Sequence, residues 1–343
     1  MTFEINAFVT TGVHGKFKEA TRQVEELDPY EILINVLASG ICHTDCRYIE
    51  TEGMNLGHEP VGLVEAIGSS VKNFSKGDYV GFSYLQSSCL TCDQCCAGDD
   101  LYCENRVCYP GKGVNNGFSK NAVVDSRFSY HIPANIEPKY AGPLMCAGST
   151  VFNGLYSSNL SPTASVGIVG IGGLGHLALQ FANKWGCHVT AISTSASKKE
   201  EALSFGAHEY INSSDFGTPG FFEKAPKFDL ILNTTSADLP YDDYIKLLKP
   251  KGQFLLIGVP TKSMDVNAFP FIGYELGMRG SLVGGRRAVR LMLEFAARHN
   301  IKPQVEEYPF TVKGLEDAME SCETYKARYR AVLVQDHKDD SKL

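Results

Sequence analysis

Residues 165–199 read S-V-G-I-V-G-I-G-G-L-G-H-L-A-L-Q-F-A-N-K-W-G-C-H-V-T-A-I-S-T-S-A-S-K-K. The apolar run Val166, Ile168 and Val169 predicts a buried strand. Gly170, Gly172, Gly173 and Gly175 follow it, with Leu174 inside the glycine run. Leu174, Leu177, Ala178, Phe181, Ala182 and Trp185 then recur at helical spacing, and Gly186 stands where a helix cap belongs. Val189, Ala191 and Ile192 make the next strand. A strand, a glycine turn and a helix in this order leave backbone N–H groups free at the helix start. Such an end attracts phosphate, and residues without side chains let a pyrophosphate come close. The stretch therefore predicts a dinucleotide site, with Gly170, Gly172, Gly173, Leu174 and Gly175 as its cradle.

The end of the second strand decides which dinucleotide. A carboxylate there would hold the two ribose hydroxyls of NAD(H). This chain offers Ser193, Thr194 and Ser195, then Ser197, Lys198 and Lys199. Hydroxyls and an ammonium bind a 2′-phosphate that a carboxylate would repel, so NADP(H) is expected, with Lys198 on the phosphate.

Outside this stretch, the first 150 residues read mostly as strands and loops. Glu31–Ser39, Val61–Ile67 and Asp78–Phe82 are rich in β-forming residues. From Val166 to about Val283, strands and helices alternate. Phe228–Asn233, Gln253–Gly258 and Arg279–Val283 read as strands, and Tyr241–Lys249 as a helix stopped by Pro250 and Gly252. Alternation of this kind predicts a doubly wound parallel sheet. Arg286–Arg298 reads as an amphipathic helix, and Arg330–Val334 as a last strand returning to the first domain. The expected division is 1–147 with 287–343, a β-rich catalytic domain, and 148–286, the cofactor domain. The 343 residues carry a net charge of −7, which leaves no basic face for nucleic acid or anionic lipid. No apolar run reaches membrane-spanning length, and M-T-F-E-I-N lacks a signal-peptide pattern.

With no secretory signal, the eleven cysteines point to metal rather than disulfides. Cys89, Cys92, Cys95 and Cys103 form C-x-x-C-x-x-C-x7-C, close enough for one loop to wrap a structural zinc in a closed thiolate shell. Cys96 lies out of phase with them. Cys42 in G-I-C-H-T-D, His58 and Glu59 in G-H-E and Cys146 in M-C-A-G are scattered, and spacing alone does not group them.

G-I-C-H-T-D, G-H-E-P-V-G, the four-cysteine loop, L-M-C-A-G-S-T-V-F and G-I-G-G-L-G-H-L-A stand in the order found in zinc-dependent medium-chain alcohol dehydrogenases. With S-T-S-x-S-K-K-E-E-A and G-V-P added, the chain most resembles their cinnamyl-alcohol-dehydrogenase branch of NADP-dependent aldehyde reductases. The resemblance spans nearly the whole chain. It implies an α/β fold: a GroES-like β-rich catalytic domain plus a doubly wound Rossmann domain. It further implies that Cys42, His58 and Cys146 ligate a catalytic zinc, with Glu59 as an exchangeable fourth ligand and Asp45 orienting His58. Thr44 would hydrogen-bond the substrate oxygen and start a proton relay; Val259 and Ser281 join the cofactor contacts. Two zinc ions per chain and a homodimer joined near Arg279–Val283 are also implied.

Two departures stand out. Arg47 occupies the place of the histidine that ends the relay in this branch, and arginine cannot shuttle a proton. Only eleven residues separate Asp45 from Gly57, which shortens a turn lining the substrate pocket. The expected activity is hydride transfer between NADP(H) and an aldehyde or alcohol. The alternatives are reduction of an iminium or conjugated C=C bond, or an NADPH-binding protein without catalysis. Beyond Val334 the chain is polar and ends Ser341-Lys342-Leu343, the tripeptide read by the peroxisomal import receptor. The expectation is a peroxisomal location in a eukaryotic source and a cytoplasmic one otherwise.

Overall fold

A computed structural model describes residues 2–110 and 116–335; the tripeptide Ser341–Leu343 lies outside them. The chain divides into two units, residues 1–149 with 284–343, and residues 150–283.

In the unit formed by 150–283, a parallel six-stranded sheet runs in the order Glu209–Asn212, His188–Ser193, Ser165–Val169, Phe228–Asn233, Leu248–Leu256, Gly277–Gly280. Counted along the chain this is third, second, first, fourth, fifth, sixth. The order reverses beside Ser165–Val169, where a dinucleotide sits in doubly wound sheets. Val166, Ile168, Val189, Ala191, Leu230 and Ile231 are fully buried because helices cover both faces, which is why these strands read as continuous apolar runs. Helix Gly175–Trp185 ends at Gly186 in a left-handed cap (φ 101°). Several expected boundaries move. The helix over Tyr241–Lys249 stops at Ile245, and the next strand starts at Leu248 rather than Gln253. Pro250, Lys251 and Gly252 form a bulge inside that strand, with Lys251 at φ 64° and the register shifting opposite Phe228 and Leu230. The last strand is Gly277–Gly280, not Arg279–Val283, and is the sheet's edge.

In the other unit, a seven-stranded sheet is built around Glu31–Gly40, which pairs with Pro60–Ile67, Asn121–Asp125 and the returning strand Arg330–Val334. The returning strand makes this unit discontinuous in sequence. Its core gathers Ile32, Ile34, Val36, Val64 and Leu333 from these strands, with Ile41 just past the first, Val80 from the strand Tyr79–Phe82, and Leu315, Ala318 and Met319 from helix Val312–Glu323. The ends of the three central strands hold the residues described next.

Candidate functional site

Three chain segments bring one cluster together. Cys42 follows the strand Glu31–Gly40, and His58 and Glu59 precede Pro60–Ile67. Gly57 turns the chain there at φ 91°, and any Cβ on it would lie 2.6 Å from the Phe118 ring. Cys146 sits in a π-helical turn, Leu144–Gly148, directly after Pro143. A proline has no N–H for the helical ladder, and the turn that follows is wound wide. The donor atoms of Cys42, His58, Glu59 and Cys146 all lie within 4.8 Å of one another.

Asp45 organises this cluster from behind. It is wholly buried and accepts from Cys42 N at 2.9 Å, from Gly57 N at 3.3 Å and from His58 Nδ1 at 3.1 Å. The imidazole is thus pinned with Nε2 toward Cys146 Sγ, 3.3 Å away. The Tyr109 ring lies 4.4 Å from the His58 ring and fixes its plane. Burial favours the neutral imidazole, but the Asp45 carboxylate overrides it and raises the His58 pKa. The contact between the two sulfurs lowers the Cys42 pKa and raises that of Cys146. Thr44 Oγ1 lies 3.6 Å from Cys42 Sγ, so its hydroxyl borders the cluster.

Glu59 carries the opposite charge pattern. Its Oε1 accepts from Arg330, a buried arginine that opens the returning strand. Its Oε2 is buried with no hydrogen-bond partner among the described residues. Burial pushes its carboxyl up to about 7 despite the pull of Arg330. An orphaned carboxylate oxygen beside two sulfurs and an imidazole nitrogen is an environment a zinc ion satisfies. Sequence reasoning missed Arg330 and Tyr109. The only signal for Arg330 is a charge heading the apolar run R-A-V-L-V.

Cys89, Cys92, Cys95 and Cys103 also converge, with donor atoms within 4.8 Å of one another. Three of their sulfur–sulfur separations are 3.5, 3.5 and 3.9 Å. A tetrahedron with Zn–S bonds of about 2.3 Å has edges of about 3.8 Å, so the four thiols suit zinc. The N–H groups of Thr91 and Cys92 bring the Cys89 thiol down to about 6. Cys96 points away, with its sulfur near the Thr91 carbonyl.

In the parallel-sheet unit, the glycine turn meets its expected geometry. A Cβ on Gly175 would lie 1.8 Å from the Gly170 carbonyl oxygen, so the helix is seated directly on the turn. A Cβ on Gly172 would meet nothing within 4 Å: that face of the turn is open. The helix start carries no side-chain cap; of its first N–H groups, His176 bonds to Gly172 O at 3.0 Å and Leu177 to Leu174 O at 3.1 Å. Ser193 is half-buried, Thr194 and Ser195 are exposed and Lys198 is half-buried, all just after the strand His188–Ser193. Tyr210 donates to the Ser195 carbonyl at 2.5 Å. Val259 is exposed, and Ser281 N donates to Leu256 O at 2.9 Å, past the ends of the last two strands.

Comparison with known proteins gives the family. Residues 28–134 match the alcohol dehydrogenase GroES-like domain and residues 173–298 the zinc-binding dehydrogenase domain. A probable formaldehyde dehydrogenase of Bacillus subtilis, AdhA, is 39% identical over 93% of this chain and 94% of its own length. The aldehyde reductase AdhA of Synechocystis is 36% identical over 96% of this chain and 98% of its own. The solved CAD of Helicobacter pylori, complexed with NADP(H), aligns at a TM-score of 0.85 and 28% identity, covering 97% of this chain and 99% of that one. With both domain models in sequence order and relatives matched almost end to end, the chain belongs to the zinc-dependent medium-chain alcohol dehydrogenases, alongside NADP-dependent aldehyde reductases and cinnamyl alcohol dehydrogenases.

Proposed function

We propose that this protein reduces an aldehyde to its alcohol with NADPH, using Cys42, His58 and Cys146 as zinc ligands and Glu59 as an exchangeable fourth. The observation that carries the reading is the meeting of those three side chains with Asp45 buried behind the imidazole. When bound, zinc supplies Lewis acidity and NADPH supplies hydride. The chain's own residues do the rest. Asp45 orients His58 and keeps Nε2 free to ligate. Thr44 hydrogen-bonds the substrate oxygen and hands it a proton. Arg47 is exposed, and an arginine cannot shuttle a proton, so solvent rather than a histidine replenishes Thr44. Cys89, Cys92, Cys95 and Cys103 hold a second, structural zinc.

Support for NADPH over NADH comes from Ser193, Thr194, Ser195 and Lys198, which put hydroxyls and an ammonium where a carboxylate would serve NADH. The Helicobacter pylori relative is itself complexed with NADP(H). The missing relay histidine favours a second reading, reduction of an iminium or conjugated C=C bond, whose product needs no proton on oxygen. A panel of aldehydes, iminium compounds and enals with NADPH separates the two. Cys146→Ser and His58→Ala should abolish turnover while NADPH fluorescence titrations stay unchanged. Near-wild-type reduction by either variant would overturn the zinc assignment.

A homodimer completes the proposal. The edge strand Gly277–Gly280 adjoins Phe269, Ile272 and Tyr274, which are 73%, 78% and 58% exposed. An open edge flanked by large apolar side chains suits pairing with a second copy. Light scattering of Ile272→Glu beside the wild type checks this: a monomeric wild type would refute it. Among the described residues, no helix is long and apolar enough to cross a membrane.

A further inference from the structure

A third group of soft donors lies outside both clusters discussed above. His43, Cys46 and Cys322 each present a ligating atom, and the three atoms lie within 4.8 Å of one another. Two elements bring them together. Asp45 N–H bonds to Cys42 C=O and Arg47 N–H to Thr44 C=O, winding the segment at three residues per turn. In that winding, residues three apart lie on one side, which aligns His43 with Cys46. Cys322 comes from the last turn of helix Val312–Glu323 and extends the apolar face formed by Leu315, Ala318 and Met319. Cys46 and Cys322 are half-buried against the core, so their sulfurs are held in place, while His43 faces solvent.

The surroundings of His43 complete the pattern of a ligand. Tyr325 Oη lies 3.4 Å from His43 Nε2, and the two rings stack at 5.1 Å with 21° between their planes. Tyr325 reaches this place through a left-handed backbone (φ 55°) and is otherwise 78% exposed. That left-handed turn is the cap of helix Val312–Glu323, with Tyr325 N–H bonded to Cys322 C=O and Lys326 N–H to Ser321 C=O, and it lays the Tyr325 ring over the imidazole. Tyr325 fixes the ring and engages one nitrogen, as a hydrogen-bonding neighbour does for a ligating histidine. A disulfide between Cys46 and Cys322 would use neither the imidazole nor the tyrosine.

We propose that His43, Cys46 and Cys322 form a third metal site, which takes a zinc ion from solvent through His43 Nδ1 and two thiolates, with water as fourth ligand. One nitrogen and two sulfurs suit a borderline-soft d10 ion, and three protein ligands with one open position leave the ion exchangeable. Binding releases the two thiol protons and clamps the turn that carries Cys42 and Asp45 onto the end of helix Val312–Glu323.

The test is metal stoichiometry on the full-length, zinc-loaded protein. After dialysis against a weak chelator, equilibrium dialysis with zinc alone should load wild type with one more ion per chain than Cys322→Ser or Cys46→Ser. Cobalt(II) in place of zinc should give a sulfur-to-metal absorption band in wild type that both variants lack. A measurement on unmutated protein stands beside these. Zinc at about ten times its dissociation constant should slow iodoacetamide labelling of Cys46 and Cys322 about tenfold. Equal stoichiometry in wild type and both variants would overturn the proposal. So would labelling that ignores zinc, or recovery of the two cysteines as a disulfide-linked peptide pair.

Discussion

Asp45→Asn offers a test of how the His58 cluster is held. The carboxylate accepts from three donors: His58 Nδ1 at 3.1 Å and Gly57 N at 3.3 Å on one oxygen, Cys42 N at 2.9 Å on the other. An asparagine fills the same volume but has a single oxygen. If that oxygen keeps His58 and Gly57, its NH2 group faces the Cys42 N–H, donor against donor. The flipped amide serves Cys42 and abandons the other two. Either way a buried donor loses its acceptor, which costs roughly 1.5–3 kcal/mol where the lost acceptor was charged. For a unit of this size that lowers the melting temperature by about 3–12 °C. The imidazole also loses the charge that fixes its tautomer, and zinc affinity should fall about 10–100-fold. Chelator competition, kcat/KM for an aldehyde with NADPH, and a thermal melt are the assays. The same loss should appear in zinc retention and in kcat/KM. Melting down by several degrees with zinc affinity and kcat/KM both within twofold of wild type would refute the orienting role and leave Asp45 a purely structural anchor.

Gly175→Ala should destabilise the parallel-sheet unit by roughly 1–3 kcal/mol, because its Cβ would strike the Gly170 carbonyl oxygen; Gly172→Ala should melt like wild type yet bind NADPH more weakly, since its Cβ enters the open face of the turn. Isothermal titration and melting curves separate the two. Lys198→Ala should weaken NADPH by about tenfold or more and leave NADH within twofold, by loss of a charge-assisted phosphate contact of roughly 1.5–3 kcal/mol. Cys103→Ser should release one zinc and lower the melting temperature without altering NADPH affinity. Arg330→Met should cost roughly 3–5 kcal/mol, measured by denaturant unfolding, because it strands the Glu59 carboxylate in the interior.

What the sequence discloses depends on how local each feature is. The glycine turn and its helix lie within one short stretch, and each residue type there answers a backbone need, so the turn could be read directly. The four-cysteine loop is equally local: the chain between Cys89 and Cys103 is too short to place those thiols elsewhere. Pro250 misled the reading because a proline that normally ends a helix here sits in a strand bulge beside left-handed Lys251. His58 and Cys146 are 88 positions apart, and only the fold of the discontinuous unit, which sets the Leu144–Gly148 turn beside the strand ends, joins them. No periodicity encodes that meeting, and it entered through resemblance. Arg330 lies 271 positions from Glu59 and went unseen for the same reason.

His58 and Glu59 sharpen the point, since they are adjacent in sequence and still were not legible as a pair. On a strand, successive side chains face opposite ways, so two adjacent strand residues offer a cluster one ligand at most. The structure puts donor atoms of both within 4.8 Å of Cys42 and Cys146. The backbone there is not yet a strand. Gly57 turns at φ 91°, and the ladder begins only at Pro60. Two residues thus lie between a left-handed glycine and a proline, free of the alternation that governs Val61–Ile67. His58 is then claimed by Asp45 from one side and Glu59 by Arg330 from another, each by a buried partner distant in sequence. The irregular pair of residues is therefore held by tertiary charges rather than by local propensity. Loss of either partner should disturb its own ligand first, so Asp45→Asn should act on zinc through His58, whereas Arg330→Met should act first on Glu59 and on stability.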